Sequence, residues 1–80
     1  MRARITVTLK SGVLDPQGRA IAHALHSLGF GGVEEVRQGK LLEISLKAAS
    51  EEQAHSELDA MCRKLLANPV IENYRVELVA

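Results

Sequence analysis

The chain has 80 residues, and ten Lys and Arg balance ten Asp and Glu, so its formal net charge at pH 7 is zero. That length is one small domain, 1–80, and a neutral balance argues against a nucleic-acid partner held by phosphate attraction. A single cysteine, Cys62, excludes an intrachain disulfide and a CxxC redox pair and favours a reducing compartment. No apolar run approaches the ~20 residues that cross a bilayer. Met1-Arg-Ala-Arg-Ile5 leads straight into a strand pattern with no signal-peptide core, so a soluble cytoplasmic protein is expected.

The first segment alternates. Ile5, Val7 and Leu9 share one face, and Arg4, Thr6, Thr8 and Lys10 share the other, the pattern of a half-buried strand. Lys10-Ser-Gly-Val-Leu-Asp-Pro-Gln-Gly18 then closes the strand and opens a helix. Gly12 permits the turn, Asp15 is placed to cap free N–H groups, and Pro16 suits the first helical position. The helix is expected from about Pro16 to Leu28, with Ile21, Ala24, Leu25 and Leu28 as its apolar stripe. Gly29 fits the left-handed residue that ends helices, with Phe30 folding back on the last turn.

Beyond Gly31 and Gly32, Val33 to Arg37 reads as a short strand, with Gln38-Gly39 as a hairpin tip. Leu42, Ile44 and Leu46 mark the buried face of the next strand. Ser50 and Gln53 have capping-box spacing at the start of a second helix, whose stripe is Ala54, Leu58, Met61 and Leu65. Asn68-Pro69 stops it. A last strand runs over 71–79, with Tyr74, Val76 and Leu78 on one face. The order predicts an α+β fold, a ferredoxin-like βαββαβ two-layer sandwich with both helices on one face of an antiparallel sheet. The other sheet face, with Thr6, Thr8, Glu43, Ser45, Arg75 and Glu77, is polar and mixed.

The chain offers little catalytic chemistry of its own. His23 and His26 share a helix face, but no clear third ligand joins them. His55 has no nucleophile beside it, and Cys62 reads as a structural thiol. Glu34-Glu35 diverge if they lie on a strand, and Glu51-Glu52 answer a helix dipole. A phosphate at the first helix N-terminus would meet the carboxylate of Asp15. Phe30 and Tyr74 are the only aromatic residues, too few for a base-stacking sheet.

Val7-Thr-Leu-Lys-Ser-Gly-Val-Leu-Asp-Pro-Gln-Gly18, Ala24-Leu25, Leu28-Gly-Phe30, Val36-Arg-Gln-Gly-Lys40 and Leu65-Leu-Ala-Asn-Pro-Val-Ile-Glu-Asn-Tyr74 together resemble the PurS subunit family of phosphoribosylformylglycinamidine synthase. The resemblance covers nearly the full length. It implies a role in the fourth step of de novo purine biosynthesis, in which formylglycinamide ribonucleotide, ATP and glutamine give formylglycinamidine ribonucleotide, ADP, phosphate and glutamate. It further implies a small non-catalytic subunit that joins a glutaminase to a synthetase and supports ammonia transfer between them. ATP and magnesium would be used by the synthetase, with no cofactor on this chain, and the chain would form a homodimer or homotetramer. Lys10, Asp15, Arg37, Lys40, Asn68 and Tyr74 are the candidate partner-surface residues. The alternative reading is an ACT-like small-molecule-binding regulatory module, which shares this element order.

Overall fold

The alternating segment forms β1, Arg2–Leu9, the central strand of a three-stranded antiparallel sheet in the order β2-β1-β3. The structure, a computed structural model, describes residues 1–79. Strand β2 is Gly39–Ser45 and β3 is Glu72–Val79. Register is fixed on both sides of β1: Ile5 lies opposite Leu42 and Val76, and Val7 opposite Lys40 and Tyr74. Ala3, Ile5 and Val7 are at most 1% exposed, as period-two alternation requires of a strand with one buried face.

Helix α2, Glu51–Met61, covers that face. Ser50 Oγ accepts from the Gln53 N–H at 3.1 Å, and Gln53 Oε1 accepts from the Ala49 N–H at 3.0 Å. The reciprocal arm of the expected capping box thus lands one residue before the cap. Ala54 and Leu58 are fully buried on β1 and its neighbours.

The stripe then changes register. Cys62–Leu66 winds as a π-helical turn, closed by the Ala67 N–H on the Cys62 carbonyl at 2.9 Å. Cys62 is buried one α-turn beyond Leu58, and the wider turn that follows it brings Ala67 into the core and turns Leu65 out to 83% exposure. The expected stripe puts Leu65 inside and Cys62 at the edge; instead Cys62 continues the row of Ala54 and Leu58 at i+4, and the extra residue in the turn brings Leu66 to the core in place of Leu65.

Helix α1, Pro16–Ser27, starts at Asp15 and Pro16 as expected. It ends in a Schellman motif: the Phe30 N–H reaches the Leu25 carbonyl and the Gly29 N–H the His26 carbonyl, both at 3.0 Å, with Gly29 at φ +100. Its placement departs from expectation. α1 does not pack on the sheet beside α2 but stands off the end of the sheet as an arm. Ile21 is 41% and Leu28 72% exposed.

Residues 33–37 are not a strand, and Gln38-Gly39 is not a hairpin tip. This segment runs back along α1 and is tied to the arm at both ends. The Val33 carbonyl meets His26 Nε2 at 2.6 Å, and the Gln38 N–H donates to Asp15 Oδ2 at 2.6 Å. Groups spent on the arm are not free to pair with a neighbouring strand.

The outcome is an α+β molecule with an antiparallel sheet and two helices, drawn out to 51 × 27 × 14 Å. Its radius of gyration is 16.0 Å, against about 12 Å for a compact domain of this length.

Candidate functional site: the root of the arm

The arm joins the sheet where β1 ends and β2 and β3 begin. Thr8 pairs with Gly39 and Leu9 with Glu72, and the Lys10 N–H donates to the Ile71 carbonyl at 2.8 Å. Five of the six residues singled out from the sequence, Lys10, Asp15, Arg37, Lys40 and Asn68, lie at this end of the sheet or in the turns that leave it.

Asp15 is the hub. Its side chain accepts from two backbone donors, Gly18 N–H on Oδ1 at 2.9 Å and Gln38 N–H on Oδ2 at 2.6 Å, and the residue is only 4% exposed. The Gln38 N–H first, and then the Gly18 N–H, hold its carboxyl below the usual carboxylate range, against the opposite push of burial. With the Gly18 N–H already taken by this carboxylate, the helix start is filled by the chain itself.

Arg37 spans the same gap from the other side. Its Nη1 donates to the Val13 carbonyl at 2.9 Å and its Nη2 to the Lys10 carbonyl at 3.1 Å. Gly18 lets the two halves of the arm touch, since a Cβ there would lie 2.1 Å from the Val36 carbonyl oxygen. Gly39 plays the same part against β1, where a Cβ would lie 2.6 Å from the Val7 carbonyl oxygen. Neither glycine has a positive φ, so close approach, not conformation, is what excludes a side chain.

A groove of about 490 Å³ opens beside this junction, lined by Val7, Leu9, Asp15, Gln38, Lys40 and Glu72. Among the described residues, neither the Lys10 nor the Lys40 ammonium forms an ion pair. Asn68 is spent on its own turn: its Oδ1 accepts from the Val70 N–H at 3.1 Å, and its carbonyl accepts from the Glu72 N–H at 2.7 Å.

Tyr74 lies apart from the junction. It faces α2, and its hydroxyl donates to Asp59. That hydrogen bond, with burial adding to it, pushes the phenol up. Asp59 also pairs with Arg63 at 2.9 Å. Burial, and secondarily Asp59, pushes the Cys62 thiol up, so at neutral pH it is a protonated core side chain.

The remaining candidates have ordinary settings. His23 and His55 are exposed, His26 binds Val33, and Glu35 sits 3.8 Å from Arg37 on the surface. Among the described residues, no group of three or more His, Cys, Asp or Glu side chains is placed to hold a metal ion, and no helix is long and apolar enough to cross a membrane. On the open sheet face, Arg4 lies opposite Glu43 and Glu77, a cross-strand charge pattern of the kind that stabilises a solvated sheet.

Sequence reasoning found Asp15 as a cap but missed Gly18, Gln38 and Gly39 as contact points. The only local signal for Gly18 was a glycine inside a helical pattern, a placement that costs stability without a packing reason.

Comparison with known proteins agrees with this architecture. The family model described as "PurS: Phosphoribosylformylglycinamidine (FGAM) synthase" matches residues 2–80. The phosphoribosylformylglycinamidine synthase subunit PurS of Synechocystis is 52% identical over 77 residues, 96% of this chain and 77% of the relative. The crystal structure of Bacillus subtilis PurS superposes with a TM-score of 0.88 at 44% identity, covering 99% of this chain and 98% of that one. A chain in the structure of PurLQS from Thermotoga maritima superposes with a TM-score of 0.89 at 32% identity, covering 98% and 95%. These matches favour the synthase subunit over the regulatory module. The chain belongs to the PurS family, the PurS subunits of phosphoribosylformylglycinamidine synthase.

Proposed function

We propose that the chain is the small assembly subunit of phosphoribosylformylglycinamidine synthase, a non-catalytic part of an ATP-dependent carbon–nitrogen ligase of purine biosynthesis. It joins the glutaminase and synthetase subunits, so that ammonia released from glutamine reaches formylglycinamide ribonucleotide without escaping to solvent. Confinement raises the effective concentration of a diffusible intermediate. ATP and magnesium act on the synthetase partner, and the complex works in the cytoplasm.

The observation that carries this reading is the arm. Its apolar stripe and the apolar residues around it are built for burial, yet Leu14, Leu28, Phe30 and Val70 are 57% to 78% exposed. The chain exposes 5884 Å², against about 4,700 Å² for a compact monomer of 8.7 kDa. The excess exceeds the ~800 Å² that each partner contributes to a standard interface. The first claimant for this surface is a second copy, giving a homodimer or homotetramer. The polar rim around the groove, with Lys10 and Lys40, is left for the other subunits.

The test is sedimentation of the purified glutaminase and synthetase with ATP, magnesium and glutamine, with and without this chain. One three-component species that forms only when the chain is added is expected. Equal association of the two large subunits without it would contradict the proposal.

A further inference from the structure

Helix α1 makes no substantial packing contact with its own sheet, so the direction of the arm is not set by a core. It is set at the root, where the outgoing residues 10–15 and the returning residues 36–38 are tied to each other by side chains. We propose that Asp15 is a positioning residue: its two carboxylate oxygens strap the returning segment to the start of α1 and fix the angle of the arm on which the assembly role rests.

A helix cap needs one acceptor. Asp15 supplies that with Oδ1 on the Gly18 N–H, and spends Oδ2 on the Gln38 N–H, 23 residues away in sequence. Arg37 repeats the tie in the other direction, from the returning segment to the carbonyls of Lys10 and Val13. The 2.1 Å that a Gly18 Cβ would leave to the Val36 oxygen shows how tightly the two halves are drawn together.

Leverage makes the angle matter. α1 has 12 residues, so it is roughly 18 Å long. A pivot of about 10° at its root moves its tip by about 3 Å, well beyond the ~1 Å misplacement that already costs an enzyme about a hundredfold. Under the proposed assembly role, on which this rests and in which the arm carries partner contacts, a loose root would leave the complex formed but poorly aligned.

Asp15→Asn separates the two duties. Asparagine remains a good cap, but it has one acceptor oxygen and presents an NH₂ to the second donor. The experiment uses the full chain in the reconstituted three-subunit enzyme, with amide hydrogen exchange on the chain alone. D15N is expected to keep the protection of the Gly18 and β1 amides while the Gln38 amide exchanges about tenfold faster or more, the order expected when a hydrogen bond to a charged group is lost. Glutamine-dependent turnover should fall severalfold, with ammonia-dependent turnover unchanged. Arg37→Lys, which cannot span two carbonyls as a guanidinium does, should shift both readouts the same way, and it stands in if D15N does not fold.

The proposal is overturned if the Gln38 amide exchanges no faster in D15N. It is equally overturned if that amide is freed while glutamine-dependent turnover stays at the wild-type level. If the wild-type chain itself does not stimulate glutamine-dependent turnover, the assembly reading fails and takes the functional half of this proposal with it; the exchange of Gln38 still decides the strap.

Discussion

Asp15 shows how one carboxylate can serve two elements. Its carboxyl is held below the usual range by the N–H groups of Gln38 and Gly18. A group with a lower pKa in the folded than in the unfolded state contributes stability above its unfolded pKa and loses it as pH falls through the folded one. Protonated aspartic acid has the donor and acceptor pattern of asparagine. At fixed protein concentration, the urea midpoint of the wild-type chain should therefore exceed that of D15N at pH 7 and approach it as pH falls below the usual carboxylate range. A gap that stays constant with pH would refute this. Gly18→Ala drives a Cβ to 2.1 Å from a backbone oxygen and should cost about 1–3 kcal/mol in denaturant unfolding, the range for overpacking; an unchanged midpoint would show that the arm opens freely there. Cys62, fully buried with its thiol pushed up by burial, should react with iodoacetamide only once guanidinium unfolds the chain. Rapid alkylation of the native protein would contradict its place in the core.

Elements were legible in the sequence where the chain supplies its own partner. The alternation of β1 and the stripe of α2 meet each other in one core, so pattern and burial agree; Leu58→Ala there should cost about 2–5 kcal/mol, read by chemical denaturation. The joint at Lys10–Gly18 was legible because turn, cap and first helical residue are local. The tie from Asp15 to Gln38 was not, because it links residues 23 apart through a backbone donor that leaves no mark on the side chains. Residues 33–37 have a strand-like composition, but the two ends of the segment are tied to the arm, Val33 to His26 of α1 and the following Gln38 to Asp15. The π turn at 62–66 has no sequence signature and puts Leu66 where the stripe would put Leu65. The stripe of α1 was read correctly as apolar, yet nothing in the described chain covers it, and the proposed self-association would. Leu28→Asp, at a position 72% exposed, should therefore leave the strand signal in circular dichroism intact and lower the sedimentation mass toward the monomer. A variant that keeps its full oligomeric mass would rule out this stripe as the self-association surface.

At the scale of the whole molecule, a small core carries a long arm. Among the described residues, Ala3, Ile5, Val7, Ala54, Leu58, Cys62 and Ala67 are the buried apolar ones, a core that in an 80-residue chain gives modest stability by itself. The excess surface and a radius of gyration of 16.0 Å both call for association. Family membership in PurS supplies the setting, and the proposed assembly role asks for shape and rigidity more than reactive groups.

The most direct test of that account is glutamine-dependent formation of formylglycinamidine ribonucleotide by the glutaminase and synthetase, with and without this chain, beside a parallel assay in which ammonia replaces glutamine. A chain that couples the two active sites is required with glutamine and dispensable with ammonia. Equal glutamine-dependent rates in its absence would contradict the account.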